Sequence, residues 1–476
     1  MLLPCPLHTA ARRHADTPAL VTASEIWSYA TLEARVQALT AHLAAQGIEE
    51  GARVALCLPN QPAAVVWLLA LLRRGAVAGL LSTRLPPKAL HDQVAQIGAT
   101  VLVSDRADLF EPVLLSQTSD LPPPTRERPS AVDPAKSTPM LDGTRGATLV
   151  FTSGSTGMPK AALHSLNNHL FSARGANANL PLQQGHRWLW SLPLYHVGGL
   201  GIVFRCLLAG AALVIPEPGE PLDAALSRYA VTHISLVTTQ LIRLLEAPPA
   251  RHQGLQALLL GGSAHPSGLL EAACGRGWPV YTSYGLTEMA SQVTATPPGA
   301  SRVQLQTSGR LLPYRALRIA PDGEILVRGA TLFKGYLVAG VRQKRAVADD
   351  GWFPTGDLGW MDEAGFLHVT GRRDHLFISG GENIQPEEIE ALLAGLPGVV
   401  QAVVVPVPHP AFGFRPVAFV QTDTLPPDAQ HLSEQLAAIL PRFKVPAAFH
   451  PWPAHLPEGS KVDRRLLEAE ALRLLP

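Results

Sequence analysis

Apolar residues fall into two rhythms along the first half of the chain. Across "TLEARVQALTAHLAAQG", Leu32, Val36, Leu39 and Leu43 recur at helical spacing, and Gly47 offers a stop. "RVALCLP" is instead a short continuous apolar run ending at a turn, the mark of a buried strand. An apolar helix over 62–74 follows, then strands near 77–81 and 100–103. This alternation predicts a parallel-type sheet with helices packed on it. It resumes at "ATLVF", a strand feeding into a glycine-rich loop, and continues through strands near 212–216, 233–237, 257–260 and 279–282. Between the two stretches, residues 111–140 break the pattern. "LPPPTRERPSAVDPAKSTP" predicts a surface loop or disordered excursion.

The rhythm changes again beyond residue 307. "LRIA", "GEILVRG" and "GFLHVTG" are short and separated by turn residues, which predicts a small antiparallel β unit. "QPEEIEALLAGLPG" opens with Pro386 and two glutamates, a good helix start. "VVQAVVVPV" and "RPVAFVQ" read as strands and "HLSEQLAAIL" as a helix. The expected fold is α/β: a large N-terminal domain over 1–373 with the small β unit, then a small mobile α+β domain over 374–476. The boundary is set within "GRRDHLFISGGEN".

Composition narrows the function classes. The chain has 476 residues, 47% of them hydrophobic, which suffices for a large core and more than one domain. Its net charge of +1 gives no broad attraction to nucleic acid or anionic membrane. Cys5, Cys57, Cys206 and Cys274 have neither metal-ligand nor redox spacing and read as small core residues in a reducing compartment. The N-terminus lacks the basic start and apolar run of a signal peptide. In "AAVVWLLALLRRGAVAGLL", Arg73 and Arg74 interrupt after about ten apolar residues, too few to span a bilayer. A cytoplasmic protein with no membrane span is expected; a homo-oligomer is left open.

The candidate chemistry starts at "FTSGSTGMPKAALH", residues 151–164. Glycines allow tight turns there, and hydroxyls and N–H groups can donate to phosphate oxygens. A Walker loop is excluded, because Pro159 precedes Lys160 and Ala161 follows it where a Mg²⁺-binding hydroxyl is required. Alone, the run could be an ordinary serine-rich turn. Five further segments change that: "LPLYHVGGL" (192–200), "LLLGGSAHP" (258–266), "YTSYGLTEMASQ" (281–292), "GWFPTGDLG" (351–359) and "GRRDHLFISGGENIQPEEIE" (371–390). With a lone lysine in "LPEGSKVDRR", these resemble, in order, the signatures of the acyl-adenylate-forming superfamily. "PKAALH", "YHVGGLGIVFR", "SYGLTEMASQV" and "SGGENIQPEEIE" further resemble the o-succinylbenzoate–CoA ligases of menaquinone biosynthesis.

The resemblance implies attack of a carboxylate on the α-phosphate of ATP, then transfer of the acyl group to the thiol of coenzyme A. It implies that Thr152, Ser153, Gly154, Ser155, Thr156, Gly157 and Lys160 hold the leaving pyrophosphate. Glu288 would help hold Mg²⁺, a hard cation that prefers oxygen ligands, and Thr287 would reach the α-phosphate. Tyr284 would stack on adenine, with Gly261, Gly262 and Ser263 as the opposite wall. Asp357 would accept from the ribose hydroxyls, supported by Arg372. Lys461 would be the catalytic ammonium, with Lys444 as its rival, because "PEGSK" is shorter than the family's approach and Ser460 replaces a glycine. Asp374 would be the hinge, and Gly380 and Gly381 would approach the pantetheine arm. His196 would lie near the acyl site.

Each residue also has a plainer reading. Glu288 could be a helix N-terminal charge, Tyr284 a core residue, Asp357 a turn residue, Lys461 a solvated lysine and His196 a cap on a buried loop. Arg205 lies in the apolar run "GGLGIVFRCLLAGA", where a charge needs an anion partner or a route to water. The partner would be the second carboxylate of o-succinylbenzoate, with Ser291 lining the same pocket, or else a structural acid. Three alternatives stay open: a ligase for another aryl or short-chain acid, a stand-alone adenylation enzyme loading a carrier protein, and a non-catalytic nucleotide-binding protein.

Overall fold

The computed structural model describes residues 2–106, 108–109, 114–116, 138–152, 159–248, 252, 254–262, 265–338, 341–342, 347, 350–423, 428–455 and 463–474. The fold is α/β, in two compact units. The first comprises Met1–Gly262, Cys274–Leu317 and Val327–Phe353; the second comprises Ser263–Ala273, Arg318–Leu326 and Pro354–Pro476.

Two large sheets build the first unit. One has eight strands in the order Val341–Arg342, Gly335–Val338, Lys160–Ser165, Gly146–Thr152, Val77–Leu80, Arg53–Cys57, Val101–Ser104, Leu114–Ser116. The second has nine: Arg310–Leu311, Ser291–Ala295, Val280–Leu286, Ala257–Leu260, His233–Leu236, Arg187–Leu189, Ala212–Val214, Pro18–Val21, Ile26–Ser28. The centres of both are parallel, as the alternating pattern predicts. Their edges are not. Lys160–Ser165 runs antiparallel to both of its neighbours, and Val280–Leu286 folds back onto Ser291–Ala295. Both reversals fall in the quoted motifs, where turn residues interrupt the apolar periodicity.

Helix Pro62–Arg74 shows why the pattern yields this arrangement. Its stretch from Ala64 to Leu72 is buried on every side, Pro62 sits at the first turn, and Gly75 closes it in a left-handed conformation with φ 76°. It packs with helix Tyr29–Ala45 in a core that includes Val36, Leu39, Trp67, Trp188 and Phe204. That second helix begins two residues before the predicted stretch, because the Ser28 hydroxyl accepts from the Thr31 N–H.

The predicted 111–140 loop falls mostly outside the described residues. Two described parts of it are strands: Leu114–Ser116 edges the eight-stranded sheet, and Met140–Asp142 pairs with Leu2–Pro4. Pairing with a partner far off in sequence made these strands, and three-residue stretches carry no periodicity to reveal it.

The second unit holds most of a four-stranded sheet ordered Arg315–Ile319, Glu324–Gly329, Phe353–Met361, Leu367–Arg372. Beyond the 3-10 turn Arg373–His375, the long hairpin Val399–His409/Gly413–Thr422 carries helices on both faces. Val404, Ala418 and Val420 pack with Ile389, Leu393, Leu432 and Leu436, whereas Val405, Val417 and Phe419 pack with Leu467 and Ala471. Burial on both faces explains why the run from Ala402 to Val407 is apolar rather than alternating. Among the described residues no helix is long and apolar enough to cross a membrane.

Candidate active site

The glycine-rich loop joins two antiparallel strands. Thr152 ends one and Lys160 begins the next, directly opposite it, with the Thr152 hydroxyl 3.5 Å from the Lys160 carbonyl. Ser153, Gly154, Ser155, Thr156 and Gly157 lie outside the described residues. Lys160 Nζ stands 5.5 Å from the centroid of the Tyr336 ring, on the adjoining strand. The Tyr336 hydroxyl donates to Glu288 Oε1 at 2.5 Å. The fold thus gathers Lys160, Glu288 and Tyr336 from three segments well separated in sequence.

Glu288 rides on the 3-10 turn Thr287–Met289, in its first turn. Ala290 and Ser291 follow with φ 54° and 120°, conformations that side-chain-bearing residues rarely adopt. Groups from other elements hold this segment. His164 Nε2–H donates to the Thr287 carbonyl at 2.7 Å, and the Phe333 N–H donates to the Glu288 carbonyl at 2.7 Å. The Ser172 hydroxyl donates to the Ala290 carbonyl at 2.8 Å, and Arg315 Nε donates to the Gln292 carbonyl at 2.6 Å. Burial pushes the His164 pKa down to about 4, so it is a neutral donor at physiological pH.

Among the described residues no cluster of three His, Cys, Asp or Glu side chains could cage a metal ion. Glu288 spends one oxygen on Tyr336 and, among the described residues, has no other side-chain partner. One carboxylate with an uncommitted oxygen fits a Mg²⁺ that takes its remaining ligands from phosphates and water.

Tyr284 is buried on the strand Val280–Leu286, which lies beside Ala257–Leu260 with Leu260 opposite Thr282. Gly261 and Gly262 leave the end of that neighbouring strand, Gly262 with φ 92°. The fold brings these three to neighbouring strands; Ser263 lies outside the described residues.

Arg205 sits on helix Val197–Ala209 and is 2% exposed. Its Nη2 donates to the Ser291 hydroxyl at 3.2 Å, and its guanidinium lies 5.3 Å from the Trp188 ring centroid. Its Nε is buried without a partner, and no carboxylate pairs with it among the described residues. Among the described residues the structural-acid alternative finds no acid. Burial lowers its pKa to about 10, so it stays cationic at neutral pH. A Cβ added to Gly201 would meet Arg205 Nη2 at 3.5 Å and Ser291 Oγ at 3.6 Å, so this glycine leaves room beside the pair. His196 caps the start of the helix, exposed, its ring 4.7 Å from that of Tyr195.

In the second unit, Asp357 is 8% exposed and opposes Arg372 across the strand pair. Arg372 Nη1 donates to Asp357 Oδ1 at 3.1 Å, and its Nη2 reaches Asp374 at 3.3 Å. Burial pushes the Asp374 pKa up, but the Arg372 charge and hydrogen bond outweigh it and hold the carboxyl below its ordinary value. Gly380 and Gly381, φ 59° and 90°, form the turn between Phe377–Ser379 and Glu382–Ile384. Lys461 lies outside the described residues. Its rival Lys444 is committed to Glu388 Oε2 at 2.6 Å.

Sequence reading missed Tyr336, His164, Ser172 and Arg315. His164 ends the quoted "PKAALH" stretch, which could have prompted a question. The other three lie outside the motifs, and each reaches the site only through distant strand and helix neighbours.

The AMP-binding enzyme family model matches residues 7–337, and that of the AMP-binding enzyme C-terminal domain matches 388–459. The 2-succinylbenzoate–CoA ligase of Salmonella typhimurium is 37% identical over 457 residues, covering 95% of this chain and 94% of the relative. Among solved structures, Bacillus subtilis o-succinylbenzoate CoA synthetase (MenE) in complex with the acyl-adenylate intermediate OSB-AMP matches with a TM-score of 0.86. It is 32% identical and 96% of each chain is covered. The same enzyme with ATP and a magnesium ion matches with a TM-score of 0.85 and 32% identity, over 96% of this chain and 97% of that one. The chain belongs to the AMP-binding enzyme family.

Proposed function

We propose that this chain is an AMP-forming 2-succinylbenzoate–CoA ligase of menaquinone biosynthesis, acting in the cytoplasm. A carboxylate oxygen of the acid attacks the α-phosphorus of ATP, and the bond to pyrophosphate breaks. The thiol sulfur of coenzyme A then attacks the acyl carbon, losing its proton as AMP leaves. The first step brings two anions together, so positive charge and fixed donors must offset their repulsion. Thr152, the 153–157 loop and Lys160 hold the departing pyrophosphate. Glu288 holds the Mg²⁺, which supplies charge neutralisation at the phosphates. Thr287 reaches the α-phosphate, and Tyr284 with Gly261, Gly262 and Ser263 takes the adenine.

Asp357, backed by Arg372, accepts from the ribose hydroxyls. Lys461 is the ammonium that bridges the reacting carboxylate and phosphate. Asp374 is the hinge residue. Gly380 and Gly381 serve the pantetheine arm, and His196 the acyl end of its path. Roles on these residues follow the family resemblance.

Arg205 carries the choice of acid. A buried guanidinium with a serine, an aromatic face and no acid beside it among the described residues calls for an anionic ligand. A fatty acid spends its one carboxylate on adenylation, whereas 2-succinylbenzoate keeps a second. ATP–pyrophosphate exchange measured across aryl, aliphatic and dicarboxylic acids tests this reading. The largest kcat/KM is expected with 2-succinylbenzoate, and Arg205→Ala should raise its KM by tenfold or more, about the worth of one charge-assisted contact. An unchanged KM in that variant would remove the pairing. Coenzyme A should be preferred over a phosphopantetheinyl carrier protein.

A further inference from the structure

Resting on that reading of the acid site, we infer that Ser172 and Arg315 together are positioning residues that set acid selectivity by holding Ser291 against Arg205. Ser291 has φ 120°, far from the relaxed conformations of a serine. The carbonyls on either side of it are both restrained. Ser172 Oγ donates to the Ala290 carbonyl at 2.8 Å, and Arg315 Nε donates to the Gln292 carbonyl at 2.6 Å. The two restraints are one assembly, because Arg315 Nη2 donates to the Ser172 carbonyl at 3.1 Å and to its hydroxyl at 3.2 Å. Arg315 Nη1 adds the Pro313 carbonyl at 2.6 Å. Ser172, Arg315 and Ser291 are all buried, so little water is at hand to replace these bonds.

The strand pairing leaves room for this geometry at Gly285, where an added Cβ would stand 2.3 Å from the Ser291 carbonyl oxygen. With the carbonyls of both neighbouring residues held, the Ser291 hydroxyl can meet Arg205 Nη2 at 3.2 Å. Arg315, unlike Arg205, spends its donors on backbone and serine oxygens and fixes backbone without presenting an anion site. Losing either restraint lets Ser291 relax and withdraws the acceptor that orients the guanidinium. Selectivity for the retained carboxylate should fall, and catalysis with an acid lacking that carboxylate should fall less.

The test compares 2-succinylbenzoate with 4-oxo-4-phenylbutanoate, which lacks the ring carboxylate, in the full-length enzyme. Ser172→Ala and Arg315→Lys should each raise KM for 2-succinylbenzoate by roughly tenfold, the loss of one well-made hydrogen bond to a charged group. The rise in KM for ATP and the loss of kcat/KM for 4-oxo-4-phenylbutanoate should each be several-fold smaller than the loss with 2-succinylbenzoate. Equal losses with both acids, or a parallel rise in KM for ATP, would overturn the inference. A crystal structure of Ser172→Ala reads the clamp without reference to any acid. Ser291 should leave φ near 120° and lose Arg205; an unmoved Ser291 would refute the clamp. If the wild-type enzyme itself uses both acids alike, the acid assignment falls, and the clamp stands or falls on that crystal structure.

Discussion

Tyr336 gives its hydroxyl proton to Glu288 at 2.5 Å and turns its ring face toward Lys160, whose ammonium is 5.5 Å from the ring centroid. One side chain thus orients the carboxylate proposed to hold Mg²⁺ and supports the lysine proposed to hold pyrophosphate. Tyr336→Phe keeps the ring and removes the bond. The Mg²⁺ concentration giving half-maximal ATP–pyrophosphate exchange should rise several-fold, with KM for the acid unchanged. A magnesium titration at fixed ATP and acid reads this, and the single lost bond should cost about 1 kcal/mol of stability.

Arg205 predicts a conflict between function and stability. Burial lowers its pKa to about 10, which corresponds to roughly 3 kcal/mol of unfavourable burial of the charged form. The sign follows from a cation whose folded pKa is depressed: the cost is complete below about pH 10 and is relieved only as pH rises toward the unfolded value. It is therefore constant through the physiological range. Arg205→Met should raise the melting temperature by a few degrees while abolishing discrimination in favour of the second carboxylate. A lower melting temperature would mean that the charge is compensated in the folded protein.

Acid sensitivity should come from buried imidazoles. Burial lowers His164 and His265 to about 4 and His233 to about 3, and it holds His169 well below its ordinary value, with the neighbouring His164 adding to the effect. Below pH 6.5 the unfolded chain takes up protons that these folded imidazoles refuse. Stability should therefore be full above pH 6.5 and fall toward pH 4, by up to about 1.4 kcal/mol per pH unit for each group. Urea denaturation from pH 8 to 4.5 measures the slope. His169→Phe, whose ring can keep the stack on Phe204 at 4.9 Å, should flatten it by about one group's share.

Arg464 forks onto Glu390 at 2.6 and 2.7 Å and donates to the Val404 carbonyl at 2.8 Å, while the Val404 N–H donates back to Glu390 at 2.7 Å. This ties the last helix, Arg464–Arg473, to the second unit's hairpin three residues beyond Lys461. Arg464→Met should strand a half-buried carboxylate and cost about 1–3 kcal/mol, seen as an earlier unfolding step of that unit in calorimetry. If Lys461 has the proposed role, kcat for adenylation should fall while KM for ATP changes little. Lys444→Ala should leave kcat near wild type, since that ammonium is already engaged by Glu388 at 2.6 Å.

The sequence by itself determined the alternation of strand and helix and the family. Local patterns carry these: periodic apolar residues, glycines and prolines at element ends, and short motifs in a fixed order. It also singled out Arg205, because a charge inside an apolar helix stands out wherever that helix packs. Tertiary structure decided what surrounds each residue. Leu114–Ser116 and Met140–Asp142 are strands only because distant partners exist for them. Arg205 has a serine and a tryptophan for company, and Tyr336, Ser172 and Arg315 join the site across strand and helix contacts that leave no periodic trace. Hydrogen bonds between segments a hundred residues apart depend on topology, and topology is a property of the whole folded chain rather than of any window along it.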